Sequence, residues 1–332
     1  MFYNPAMAGD RDLGVAFATA RWARGGGDRS GWEVTAATGV RGLRLFHESG
    51  AFRDFLLTEA NPDASEVLSR NSAKYPGARS ARGDGREAPA EAGFDLVDVD
   101  PYGSPIDFVP AAFRAVRPGG VLAVTATDMM VLAGVQPGVC ERRYGAVPVR
   151  GRLGPEGGLR ILLAYLAREG RARGRAVRPL LAYARDHHLR IYVEVGDAEH
   201  SPAEDPVAVI DPARWTGPEL GARGPVGPLW VGPLFDPALV RSLRPPSASA
   251  RPEETSKFLV RLVEELEADV PFYFESNRLA RRLELTEPAP MRSLLEALRA
   301  RGFRAARTHA RPEGFRTDAP RDVVESVARA RT

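Results

Sequence analysis

Cysteine is almost absent from this sequence: Cys140 is the only one in 332 residues, so no intrachain disulfide can form. With five histidines and no cluster of Cys and His at zinc-ligand spacing, no metal centre is expected. Lysine is scarce too. Lys74 and Lys257 are the only two among 46 basic residues, so arginine carries the positive charge. No apolar run approaches the roughly 20 residues a membrane helix needs, and the N-terminus lacks the charged-then-apolar order of a secretory signal. The expected location is therefore the cytoplasm, with no membrane contact and no obligate protein partner. Also missing is the GxGxxG fingerprint, which argues against a dinucleotide pyrophosphate and leaves room for a nucleoside cofactor without a phosphate.

What is present is length for two domains and an uneven charge. The formal net charge is only +3. Between Glu141 and Arg190, however, 12 arginines stand against four acids, and from Arg278 to Arg316 ten stand against four glutamates. Guanidinium pairs bidentately with phosphate and stacks on bases, so two such stretches suggest a nucleic acid held against two surfaces. The alternative is that arginine fills ordinary surface positions.

Short Val- and Leu-rich runs bounded by Gly, Pro or Asp read as buried parallel strands at 32–37, 54–59, 94–99 and 119–127. Helical patterns fit between them, including 62–75 and 106–116, and a weaker strand reads at 78–84. This alternation predicts an α/β, Rossmann-like sheet whose ligands sit at the carboxyl ends of its strands. After a helix over 157–170, the runs at 176–184 and 188–195 could add two edge strands. The expected domains are 1–196 and 197–332. The second begins with a Pro/Gly-rich segment, 197–241, and a linker, 242–252. Three helical patterns at 253–269, 274–285 and 289–302 follow, then two short strands around a Pro-Glu-Gly turn within 303–320. Three helices and a β-ribbon outline a winged-helix-like module in 253–332.

Strand ends carry the chemistry. Gly39 and Gly42 fall in the first strand-to-helix turn, where the backbone must approach a ligand. Glu59 ends the second strand, twenty residues after Gly39, placed to accept ribose hydroxyls; it could equally be a solvated acid. Asp84 ends the third strand, placed for an adenine amine or simply for a turn. The fourth strand runs into Asp100-Pro101-Tyr102-Gly103, a carboxylate, a rigid proline and an aromatic ring in sequence. Asp128 reads as a helix N-cap near the site, His187 and His188 as structural or solvated, and His309 as an RNA contact.

Methyltransferases acting on the exocyclic amines of bases carry an Asp or Asn, a Pro and an aromatic where this chain has DPY. The fuller resemblance is to the tRNA (guanine-26-N2) dimethyltransferases. The stretches "FYNPAMAGDRD", "AATGVRGLR", "DVDPYGSP", "VTATD", "RRYGAVPVRG", "RILL", "DHHLRIYVEV", "PLWVGPL" and "RTHARPEGFRTDAP" all look like that family, in its order. The resemblance implies a class I fold and S-adenosyl-L-methionine as cofactor, with Arg11, Thr38, Gly39, Arg41, Glu59 and Asp84 at the cofactor. It further implies Phe2 and Tyr102 on either side of the target guanine, and Asp100 with Pro101 orienting the amine. Departures are conservative: Glu59 stands where many relatives have Asp, and Tyr102 where many have Phe. DPY by itself would also suit an N6-adenine methyltransferase, and the arginine patches a silent tRNA-binding protein.

Overall fold

The computed structural model describes residues 4–22, 28–200 and 205–330. Its centre is a seven-stranded sheet built from β1 (Arg29–Glu33), β2 (Phe52–Glu59), β3 (Ala78–Arg82), β4 (Phe94–Val99), β5 (Val116–Ala126), β6 (Arg175–Arg185) and β7 (His188–Asp197). The order is β3-β2-β1-β4-β5-β7-β6. The first five pair in parallel, and β7 joins β5 antiparallel. Chain order reverses between β1 and β4, which opens a crevice at their carboxyl ends. All six residues of β4 are buried, the condition that makes it read as an apolar run even with Asp95 and Asp98 inside it.

Helices α1 (Ala8–Trp22), α2 (Val40–Ser49), α3 (Pro62–Ser72), α4 (Val109–Ala115), α5 (Met129–Leu132), α6 (Pro137–Tyr144) and α7 (Gly154–Arg171) accompany this sheet. The first strand lies earlier than its apolar run suggests. Residues 34–36 keep extended hydrogen bonds, Val34 N–H to Asp98 and Ala36 N–H to Thr58, both at 2.8 Å, before Ala37 turns at φ 48°.

The segment 205–250 is less irregular than its composition implies. It contains an antiparallel pair, β8 (Val207–Ile210) and β9 (Val226–Trp230), and α8 (Pro237–Ser242). Leu229, Trp230, Leu234, Phe235 and Val240 join the apolar core of the large sheet, as do Leu259 and Leu262 of α9 (Pro252–Glu265). The stretch 242–252 is not a free tether. The buried Asp12 carboxylate accepts from Ser249 Oγ at 2.6 Å and from the amides of Ala250 and Arg251, and also binds Arg44 at 2.8 Å.

A second core gathers α10 (Ser276–Arg282), α11 (Met291–Ala300) and α12 (Arg321–Arg329) around a small sheet ordered β10-β12-β11. Its strands are β10 (Phe274–Glu275), β11 (Ala305–Arg307) and β12 (Gly314–Thr317). The final helix buries Val324, Val327 and Ala328, spaced i, i+3, i+4 on one face. A buried ion cluster joins the two parts. Glu156 of α7 accepts from Arg160 and from Arg316 of β12, both at 2.8 Å, and Arg316 also binds Glu265. His309 belongs to this cluster. Its side chain is 2% exposed and its Nδ1 lies 2.6 Å from Glu265, so the expected RNA contact is corrected: the ring is held inside by a carboxylate 44 residues earlier.

Candidate active site

Proline after Asp100 removes a ladder N–H and fixes φ, so β4 ends there. Gly103, at φ 77°, turns the chain, and it is pinned on both sides: its N–H donates to Thr127 Oγ1 at 2.7 Å, and Thr127 N–H donates to its carbonyl at 2.9 Å. Pro101 is buried, and among the described residues its carbonyl accepts no hydrogen bond. Tyr102, at 73% exposure, presents its ring outward. Phe2, its expected partner across the base, lies outside the described residues.

Behind Asp100 stands a buried charge network. Arg41, on α2, donates from Nε to Asp100 at 2.8 Å and from Nη2 to Asp10 at 2.7 Å. Asp10, 2% exposed, also accepts from Tyr183 and meets His188 Nε2 at 3.1 Å. Next to it, Arg190 of β7 forks onto Asp98 at 2.7 and 2.8 Å and lies 4.5 Å over the Tyr192 ring. Burial alone would raise the Asp100 carboxyl, but the Arg41 and Arg190 guanidiniums outweigh it and hold the group below its ordinary range. Asp10 is likewise held well below by Arg41 and His188 against its burial. The opposite fate falls to Glu33, which burial and the neighbouring Asp98 push well above the usual carboxylate range, with Gly42 N–H donating to it at 3.0 Å. Asp10, Asp98 and Asp100 thus share this network with the guanidiniums of Arg41 and Arg190.

The expected cofactor residues lie on α1, on the turns after β1 and β3, on α2 and at the end of β2. Gly39, at φ 80°, caps α2, and a Cβ there would sit 2.6 Å from Leu68. Thr38 is 8% exposed, its carbonyl accepting from Asn71 at 2.9 Å. Glu59 accepts from Ala37 N–H at 2.7 Å and Asn61 N–H at 2.8 Å, so its carboxylate shapes the turn after β1 as well as ending β2. Arg11 is 6% exposed and donates to the Asn4 carbonyl at 3.2 Å. Asp84 forms an ion pair with Arg86 that lowers it to about 2. The adjacent Gly85 packs so closely that a Cβ would lie 2.5 Å from the Val34 carbonyl, bringing this loop against the end of β1. Arg41 is the residue whose structural setting differs most from expectation, since its partners are Asp100 and Asp10.

Asp128 does not cap α5 with its side chain. Its carboxylate turns to the Tyr144 hydroxyl at 2.9 Å, which in turn meets Ser104 at 2.7 Å. Sequence reasoning missed Asp10, Glu33, Asp98, Tyr144 and Arg190. The available signal was a charge inside an otherwise apolar strand, in FDLVDV and in LRIYVEV, because a buried charge requires a partner.

Three comparisons bear on this arrangement. The family model for "N2,N2-dimethylguanosine tRNA methyltransferase" matches residues 1–206 and 218–329. Among curated proteins, a tRNA (guanine(26)-N(2))-dimethyltransferase of Thermococcus kodakarensis is 35% identical over 98% of this chain and 92% of its own length. One of Pyrococcus horikoshii is 32% identical over 99% and 92%. The solved structure of Trm1 from Pyrococcus horikoshii with S-adenosyl-L-methionine superposes with a TM-score of 0.87 at 30% identity, covering 98% of this chain and 94% of that one. With the strand order, the Asp100 turn and these matches in agreement, the chain belongs to the N2,N2-dimethylguanosine tRNA methyltransferase family.

Proposed function

We propose that this protein transfers one or two methyl groups from S-adenosyl-L-methionine to the exocyclic N2 of guanine 26 in tRNA. The observation that carries the reading is Asp100, fixed by Arg41 at 2.8 Å, beside the Pro101 carbonyl, which accepts no hydrogen bond among the described residues, and the exposed Tyr102 ring. The crevice suits a nucleoside cofactor. A side chain at Gly39 would strike Leu68, so the turn stays open to close backbone approach, and Glu59 stands at the neighbouring strand end with acceptors suited to ribose hydroxyls. Thr38, Gly39 and Glu59 would hold the cofactor, with Arg11 and Asp84 at its flanks. When bound, S-adenosyl-L-methionine supplies an electrophilic methyl on a positively charged sulfur.

The guanine amine is a poor nucleophile because its lone pair is delocalised into the ring. Asp100 and the Pro101 carbonyl accept its two N–H groups, which orients the nitrogen and draws it toward tetrahedral geometry. Tyr102 stacks on the base. The Asp100 carboxylate favours the positive charge that develops on the amine. Because Arg41 keeps Asp100 ionised, the carboxylate is ready to accept the departing proton.

tRNA contact rests on the arginines left at the surface. Arg160, Arg190 and Arg316 are consumed in buried ion pairs, whereas Arg142, Arg143, Arg150 and Arg152 are exposed, with Arg143 3.6 Å from Asp128 and Arg152 reaching Glu275. The module of α10–α12, with Arg292 at 89% side-chain exposure, is the winged-helix-like second surface in this reading. Bulk tRNA incubated with protein and cofactor, then analysed as nucleosides, tests the function: dimethylguanosine supports it, methyladenosine indicates an adenine enzyme, and no change indicates a silent binder.

A prediction concerns the cofactor. Glu59→Ala is expected to weaken S-adenosyl-L-methionine binding by about 1.5–3 kcal/mol, the scale of hydrogen bonds to charged groups, with tRNA affinity nearly intact. Titration calorimetry checks it, and unchanged cofactor affinity removes Glu59 from the site.

A further inference from the structure

The turn that carries Asp100, Pro101 and Tyr102 is braced at its far end by a hydrogen-bond chain that the reaction as described leaves without a role. Tyr144, fully buried at the end of α6, donates its hydroxyl to Asp128 at 2.9 Å and meets Ser104 Oγ at 2.7 Å. Asp128, with 7% of its side chain exposed, accepts that bond and has Arg143 at 3.6 Å. Its neighbour Thr127 makes the two bonds to Gly103. The end of β5 and the end of α6 therefore grip residues 103 and 104, while Arg41 grips Asp100 from the other side. The Tyr144 hydroxyl is the junction, satisfied both as donor and as acceptor.

We propose that Asp128, Tyr144 and Ser104 are positioning residues for the target amine, and that the second methyl transfer depends on them more than the first. The proposal rests on the amine-orienting reading of Asp100 and Pro101 given above. An unmethylated amine offers two N–H groups, one to each acceptor, so two bonds fix its direction. After one transfer a single N–H remains and a methyl occupies the other place. Orientation then rests on one acceptor, and a turn that shifts by a fraction of an ångström loses alignment that the first transfer tolerates. In each transfer the nitrogen lone pair forms the new C–N bond, the sulfur–methyl bond breaks with its electron pair staying on sulfur, and one amine proton leaves through Asp100 to water.

The test uses two tRNA transcripts, one with guanosine and one with N2-methylguanosine at position 26, in single-turnover assays of the full chain. Tyr144→Phe and Ser104→Ala both remove the Tyr144–Ser104 bond, Tyr144→Phe the bond to Asp128 as well, so either variant decides alone if the other does not fold. The expected result is a first-transfer rate within about threefold of the parent and a second-transfer rate lower by roughly tenfold or more, the scale of one lost hydrogen bond. Asp128→Asn, which keeps an acceptor for Tyr144, should restore the ratio that Asp128→Ala loses. Cofactor affinity by calorimetry should not move, and amide exchange over residues 100–106 should quicken. Equal slowing of both transfers, as a smaller folded fraction would give, overturns the proposal, as do unchanged rates. Asp100→Asn in the same assay separates the two levels: if it methylates normally, the reading of the site itself fails, whereas its inactivity beside a normal rate ratio in Tyr144→Phe sinks only this inference.

Discussion

Asp100→Asn is expected to slow single-turnover methylation by roughly 10²–10³, the magnitude found when one well-placed electrostatic partner is removed from an active site. The substitution keeps size and one acceptor oxygen but removes the charge that Arg41 holds in place, and it can offer an amide N–H where an acceptor is needed. The folded protein should survive it, because the Asp100 side chain is 23% exposed while Arg41 keeps its bond to Asp10. Tyr102→Phe should be nearly silent if the ring only stacks, and Tyr102→Ala should cost about 1–3 kcal/mol of base binding. A purely structural turn would reverse the ranking, lowering the melting temperature of Asp100→Asn and sparing its rate per folded molecule. Rate and melting measured on one preparation decide between them.

Removing Arg316 is expected to give the largest loss of stability. Its guanidinium lies between Glu156 and Glu265, each 2% exposed or less, and Arg316→Met would leave both charges buried beside fewer cations. Breaking such a cluster by deleting one member costs about 3–5 kcal/mol, read as a shift of the denaturation midpoint. Burial raises both glutamates, but Arg316 and Arg160 pull Glu156 below its ordinary value, and His309 and Arg316 pull Glu265 far below. A carboxylate depressed by folding contributes stability that is present above its unfolded pKa and is lost as pH falls through the folded value. The parent should therefore lose stability in acid, from roughly pH 4 downward, by an amount that Arg316→Met no longer shows. Adding Glu156→Gln and Glu265→Gln to Arg316→Met should recover part of the loss, since the uncompensated charges are then gone. No recovery would mean that the cluster acts through packing.

The parts of this molecule that were legible in its sequence are those governed by local rules. β4 lies at 94–99 as its largely apolar run indicates, because a strand buried on both faces takes apolar residues on both, here with Asp95 and Asp98 paired to Arg117 and Arg190. The turn after it was readable because proline, glycine and an acid at a strand end each restrict the backbone or the chemistry. What was not legible depended on partners distant in sequence. Asp10 meets Tyr183 and His188 across more than 170 residues, and nothing near Asp10 announces them. Proline and serine made 242–252 read as a tether, yet Asp12 collects that segment through three neighbouring donors. His309 sits in an arginine-rich stretch that reads as surface, until Glu265 and the rings of Phe235 and Phe258 enclose it. Arg41 was readable as part of a ligand-binding turn, but its grip on Asp100 is a through-space fact.

The central claim is that Asp100 directs methyl transfer to the amine of one guanine. It is tested most directly by incubating a tRNA transcript with S-adenosyl-L-methionine and either the parent protein or Asp100→Asn, cutting the RNA into defined fragments and weighing them. The account predicts one and then two methyl groups on the fragment containing guanosine 26 with the parent, located on N2, and almost none with Asp100→Asn over the same time. Methyl groups on an adenine, no methylation by the parent, or equal methylation by both proteins would contradict it.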